Sequence, residues 1–180
     1  RVLFRSACNA AAGCAAATGT SFWRRNSYVG IRGPYGEITV GRNYTAAVIK
    51  QADTLSATPS GINTGMGVTL LSQGISNDFW NSNQIRYDSP SFGPVSFSAH
   101  GALGEGVVGH NVGGNLRYDQ GPLAVSLSHQ VDKDIAGKSV KWTMLSGAYN
   151  FGSFKLHLGA NRVDNGDGVI GFVNSDLRTV

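Results

Sequence analysis

The chain has 180 residues, of which only 14 % are charged and 25 are glycine, with a formal net charge of +4. Soluble domains carry roughly 25 % charged residues and roughly 7 % glycine. No apolar run reaches the roughly 18–20 residues of a membrane helix, and the glycines have no period of three, so helical membrane proteins and collagen are excluded. Recurrent Val, Leu, Ile and aromatics with little net charge also exclude a disordered chain, leaving an all-β globular domain or a membrane β-barrel.

Taken in chain order, residues 1–6 (RVLFRS) read as a translated adapter remnant, an artefact foreign to the protein, and residues 7–21 as an Ala-rich loop remnant. That stretch holds Cys8 and Cys14 with no His or acid beside them. A disulfide is possible there only in an oxidising compartment. From Trp23 the sequence alternates. Val29 and Ile31 share one face, the GPYG turn follows at 33–36, and Ile38 and Val40 continue the same face. This pattern predicts a hairpin. Three more follow: 84–88 with 95–100, 116–119 with 123–128, and 145–150 with 154–159. Tyr87, Tyr118 and Tyr149 recur every 31 residues, each just before a short turn. Two strands of about ten residues, one tight turn and one longer loop fill such a repeat, which is the arithmetic of an up-and-down meander of membrane length. The strand at Val140–Leu145 does not alternate cleanly.

Between Tyr44 and Asn81 lie 36 residues rich in Thr, Ser, Ala and Gly. Loops beyond about 12–15 residues are uncommon and usually functional or disordered. A barrel can fold such a loop inward. One parity of every hairpin is apolar, and the other carries Arg32, Arg86, Arg117, Lys155, Ser and Asn. A packed sheet interior could not hold that many cations, since each buried charge costs several kcal/mol or more, whereas a water-filled lumen could. The apolar parity would then face lipid, with the tyrosines as an aromatic girdle.

Other signals are weaker. Gly104–Gly109 matches G-x-G-x-x-G, but no helix-forming sequence follows it. Asn165–Gly168 lacks the twelve-residue ligand set of a calcium loop. His100, His110, His129 and His157 have no metal-ligand spacing, and no Ser, His and acid set is placed. The sequence therefore predicts no enzyme, no cofactor and no metal site. Lys and Arg are scattered over strands, which argues against nucleic acid.

The segments SYVGIRGPYGEITVGRNYT (27–45), IRYDSPSFGPVSFSA (85–99), LRYDQGPLAVSLSH (116–129) and GAYNFGSFKLHLGA (147–160) resemble a Gram-negative general porin of the β-proteobacterial, neisserial and Bordetella-like, type. The resemblance spans roughly residues 22–180. It implies a 16-stranded antiparallel transmembrane β-barrel, of which about eight strands are countable here with the start of a ninth at 170–180. It also implies a homotrimer among outer-membrane lipid, with short turns facing the periplasm and the third external loop folded into the lumen. Residues 45–81 would be that constriction loop and Asp53 and Asp78 its acids. An Arg leading into the loop joins a basic cluster in such porins, which points to Arg42. Strict parity from Val40 turns Arg42 outward, so either Gly41 permits a bulge that re-aims it or Arg42 sits above the membrane. The missing first and last strands point to an internal fragment. The expected function is passive diffusion of small hydrophilic solutes and ions, with a weak anion preference. The alternatives are a non-transport eight-stranded barrel or adhesin that binds through its loops, and a soluble β-sandwich.

Overall fold

A computed structural model describes residues 2–7, 26–55, 80–104, 109–133, 136–164 and 176–179. These form ten strands and one helix: β1 (Val2–Ala7), β2 (Asn26–Gly33), β3 (Gly36–Tyr44), α1 (Ala46–Leu55), β4 (Trp80–Asp88), β5 (Val95–Ala102), β6 (Asn111–Gln120), β7 (Leu123–Lys133), β8 (Ser139–Asn150), β9 (Lys155–Asp164) and β10 (Asp176–Thr179). All ten strands belong to one sheet in sequence order, with antiparallel neighbours throughout. The fold is the all-β meander that the hairpins predicted. β2–β9 are the eight strands read from them, and β10 lies where a ninth was expected to start.

Residues 1–6, set apart in the sequence as foreign, overlap β1. Val2–Ala7 pairs with β2 in six-residue register. The edge of β2 offers a row of N–H and C=O groups that an adjacent extended chain can satisfy. The Ala-rich stretch with Cys8 and Cys14, Gly104–Gly109 in part, and Asn165–Gly168 lie outside the described residues.

The strands are long because their alternation is sustained. β6 to β9 run 10, 11, 12 and 10 residues, which spans a bilayer at the tilt of a barrel. Their short connections sit together at one end. Gly36 closes the first with φ +110°, and a Cβ there would lie 2.4 Å from the Asp88 carbonyl oxygen, so only glycine fits. The longer connections lie at the other end.

The burial pattern is inverted relative to a soluble protein. Ile31 is 68 % exposed and Leu158 67 %, whereas Thr39, Ser98, Asn115, Ser126, Ser128 and Ser146 are buried. In a β-sandwich the apolar faces would be covered by each other. Here the described apolar face meets nothing, which removes the sandwich and fits a wall with lipid outside and water inside. At the short-turn end the outward face gathers aromatics. Tyr87 and Phe97 lie 5.7 Å apart, Tyr149 meets Phe151 in a tilted contact at 4.6 Å, and Phe151 stacks on Phe154 at 4.7 Å.

The buried apolar set among the described residues is small: Ala46, Ala47, Val48, Ala102, Val140, Trp142, Met144 and Val163. Apart from Ala102 on β5, it comes from α1 and from the inner face of β8 and β9, which the helix contacts. Val140, Trp142 and Met144 point inward, while Lys141, Thr143 and Leu145 point outward. That explains the broken alternation at 140–145: the inner side carries apolar residues as well, because it receives the helix.

Candidate functional site: the inner wall and the helix docked on it

α1 starts where Thr45 stops the strand. Thr45 Oγ1 accepts from the Val48 N–H at 3.3 Å, an N-cap that satisfies one of the helix's unpaired donors. The Ala46 N–H is another, and it donates to Nδ1 of His100 on β5 at 3.1 Å. Nδ1 therefore carries no proton. The opposite nitrogen, Nε2, lies 2.5 Å from Asn111 Oδ1, to which it donates. Gly113 sits across from His100 in register, and a Cβ there would come within 2.8 Å of the ring. Glycine at 113 is what lets the imidazole lie flat against the wall.

The rest of the helix is held in the same manner. Asn115 Nδ2 donates to Ser128 Oγ at 2.8 Å, and Ser128 Oγ donates to the Ala47 carbonyl at 2.8 Å. At the C-terminal end, where helix carbonyls lack partners, His157 Nδ1 donates to the Thr54 carbonyl at 2.9 Å. Arg117 Nη1 reaches Thr54 Oγ1 at 3.3 Å. Ahead of the helix, Gln84 Nε2 and Arg86 Nη1 both donate to the Tyr44 carbonyl, at 2.9 and 3.3 Å. Two wall histidines thus grip the two ends of α1 in opposite roles, one as acceptor and one as donor. α1 packs on the inner faces of β4 to β9, so the start of the 45–81 segment lies inside the curve of the sheet.

Of this docking set the sequence marked only Arg86 and Arg117 as pore-lining residues, while its polar parity also put Gln84, His100, Asn115, Ser128 and His157 on the inner face. The signal for α1 was present, since Thr45 precedes a run of good helix formers, AAVIKQA. His100, His157 and Ser128 left no such signal, because their partners lie 54, 103 and 81 residues away.

The inner face of β2–β4 is open by contrast. It borders a cavity of about 690 Å³ lined by Tyr28, Arg32, Glu37, Thr39, Arg86 and Asp88, among others. Arg32 pairs with Glu37 directly across the hairpin. Arg86 Nε lies 2.8 Å from Asp88 Oδ2, and Ser98 Oγ donates to Asp88 Oδ1 at 2.7 Å. Arg117 pairs with Asp119 in the same way. The repeated Arg-Tyr-Asp triplet at 86–88 and 117–119 has a simple reading. Period two sends Arg and Asp to the inner face together and the Tyr between them outward.

The structure therefore brings Arg32 and Arg86 to one cavity. It sets Arg117 at the far end of α1, and it puts Lys155 at an exposed inner-register position beside the last short turn, opposite Asn150. It does not bring Arg42 to them. Arg42 holds register with Ser27, on the outward parity of Val29 and Val40, and Nη1 donates to Ser82 Oγ at 2.8 Å. There is a bulge between Gly41 and Asn43, yet its extra residue falls on β4, where Asn83 has φ 51°. β3 keeps its alternation, so Arg42 is not re-aimed into the lumen and stands near the loop end of the outer face. The side chain of Asp53, and Asp78 altogether, lie outside the described residues. Among the described residues no cluster of His, Cys, Asp and Glu could hold a metal.

Comparison with known proteins follows the same lines. A family model described as Gram-negative porin matches residues 3–172. Outer membrane porin protein 32 of Delftia acidovorans is 32 % identical, over 78 % of this chain and 43 % of its own length. The solved anion-selective porin from Comamonas acidovorans superposes with a TM-score of 0.65 at 29 % identity, over 87 % of this chain and 50 % of that one. OmpT of Vibrio cholerae, as its loop-L8 deletion mutant, shares the fold at 15 % identity with a TM-score of 0.63, over 78 % of this chain and 50 % of that one. The chain spans about half the length of these relatives.

Proposed function

This chain belongs to the Gram-negative porin family, and from that premise we propose that the protein conducts small hydrophilic solutes and ions passively through a water-filled channel that mildly prefers anions. It is an outer-membrane protein whose described strands form part of a barrel wall. The observation that carries the reading is the inverted wall. Its exposed outer face is apolar and its inner face is polar, with Arg32 and Arg86 bordering the cavity. A channel so lined selects by its radius and by the charge along its wall.

The helix α1, with the 45–81 segment it begins, narrows the lumen as the constriction loop. The wall around it supplies cations: Arg32 and Arg86 at the cavity, with Arg117 and Lys155 further along. The preference is mild because Glu37, Asp88 and Asp119 stand beside the three arginines and offset part of their field. Asp53 and Asp78 act on the loop side of the passage. Three copies of the protein assemble as a homotrimer, as the resemblance implied. No bond is made or broken in this function.

The test is the reversal potential of the full-length protein in a planar bilayer under a salt gradient. The expected sign is that of an anion-preferring pore, and the double substitution Arg32→Gln with Arg86→Gln moves it toward zero. A strongly cation-selective wild type, or no conductance at all, overturns the proposal.

A further inference from the structure

A line of hydrogen bonds runs along the inner wall from its loop end to the N-terminus of α1. Asp132 on β7 stands in register with Asn111 on β6, and one row nearer the short turns Gln130, Gly113 and His100 stand in register on β7, β6 and β5. Asp132 accepts from Asn111 Nδ2, and from Gln130 Nε2 at 3.1 Å to each carboxylate oxygen. Asn111 Oδ1 accepts from His100 Nε2, and His100 Nδ1 accepts from the Ala46 N–H. His100, Asn111 and Gln130 are all buried, so bulk water does not replace a partner lost there. Each bond in the line has a direction. A carboxylate only accepts, so Asn111 turns its NH2 to Asp132 and its carbonyl oxygen to His100. That oxygen takes the Nε2 proton and leaves Nδ1 as a lone pair for the helix. A turned Asn111 amide would present N–H to Nε2, move the ring proton to Nδ1 and set it against the Ala46 donor.

We propose that Asp132 is a positioning residue of the constriction helix: by orienting Asn111 it fixes the His100 tautomer that holds the N-terminus of α1, and a proton added to that ring releases this end of the helix. The inference rests on α1 as the narrowing element of the channel. An imidazolium has donors at both nitrogens, so it offers nothing to the Ala46 N–H, and it stands against the positive end of the helix dipole. Docking at this end therefore weakens as pH falls. His157 responds in the opposite sense. It already donates to the Thr54 carbonyl, and a protonated ring still donates there, beside the negative end of the dipole. Acid thus frees the N-terminal end of α1 while the C-terminal end stays held, and the helix swings from the wall into the lumen. The charged groups around His100 are Arg86, opposite it on β4, and Asp132, beyond Asn111. β6 presents only the neutral Asn111 and Gly113 to the ring, and α1 carries Lys50 and Asp53 in its sequence.

The experiment records single channels of the full-length protein in a planar bilayer, from about pH 8 down to about pH 4, across the range in which histidine titrates. Closures of the wild type should grow more frequent as the pH falls. His100→Gln cannot take up a proton at that position, so its closure frequency should be the same at every pH. Asp132→Leu should close roughly tenfold more often than the wild type at neutral pH, the factor that one lost hydrogen bond to a charged group corresponds to. Its response to acid should be flattened, because the end that acid frees is already loose. Groups that act through one another are not additive, so the double variant His100→Gln/Asp132→Leu should close no more often than the worse of the two single variants. Should Asp132→Leu not assemble, the comparison of His100→Gln with the wild type across pH still decides the matter. A wild type that conducts but does not respond to acid overturns this inference and leaves the channel reading standing. An acid response retained by His100→Gln, wild-type closures in Asp132→Leu, or additive effects in the double variant overturn it as well. A protein that conducts at no pH overturns the channel reading, and this inference with it.

Discussion

Two stretches of one inner wall carry different chemistry. On β2–β4 the inner face holds Arg32, Glu37, Arg86 and Asp88 around an open cavity. On β7–β9 it holds Ser126, Ser128, Gln130, Ser146 and Asn161, with Val140, Trp142 and Met144 among them, and α1 covers it. Both stretches have the same parity and an antiparallel hydrogen-bonded ladder. What separates them is the cover that α1 lays on one and the cavity that borders the other. Charge sits where the wall borders the cavity, as at Arg32, whose side chain is 61 % exposed beside Glu37. Beneath the helix a charge would lose its hydration, and neutral donors and acceptors with apolar filler take its place. Arg86 and Arg117 mark the seam. Each pairs with an Asp on the wall and reaches the covering segment with a remaining guanidinium nitrogen.

The sharpest way to break that contrast is Trp142→Ala. Trp142 is 1 % exposed on the inner face of β8, a strand that α1 contacts, and a buried Trp→Ala change costs about 3–5 kcal/mol. Unfolding of the full-length barrel in denaturant should show the loss, and single-channel current should become larger or noisier as the helix loosens. A variant with wild-type stability would show that the helix does not rest there. Leu127→Lys tests the outer side of the covered stretch. A lysine in the lipid-facing band costs about 2–4 kcal/mol near the bilayer midplane, read as reduced stability in vesicles, and a neutral result would reverse the assignment of faces. His100→Leu comes next. It strands the Ala46 N–H and the Asn111 carbonyl oxygen, at about 1–3 kcal/mol for each buried group left unpaired, so more frequent closures in single-channel records are expected. Smallest in stability is Arg32→Gln on the open stretch. An exposed pair such as Arg32 with Glu37 is worth about 0.2–1 kcal/mol, so unfolding should hardly move while the reversal potential shifts away from anions.

How much of this could be read from the chain depends on the range of the interaction. The strands, the short turns and the tyrosine row were legible because period two and turn chemistry act within ten residues. The lipid face followed from the same alternation. The stretch at 140–145 looked defective only because its partner, Ala46–Val48, lies far away in sequence. Gly41 pointed to a bulge, and one is present, but the extra residue stands on the neighbouring strand at Asn83. No local pattern says which of two paired strands takes an extra residue, and the fate of Arg42 turned on it.

By itself, then, the sequence determined the wall: its strands, its turns, and which face meets lipid and which meets water. Those properties are periodic and local, and each hairpin states them again. Only the tertiary structure decided what happens inside the wall: that α1 docks on β4–β9, that His100 and His157 hold its two ends, and that Arg32 and Arg86 share a cavity while Arg42 does not. These are contacts between residues tens of positions apart, set by the curvature of the sheet that brings distant inner faces together. A one-dimensional pattern carries no term for that curvature.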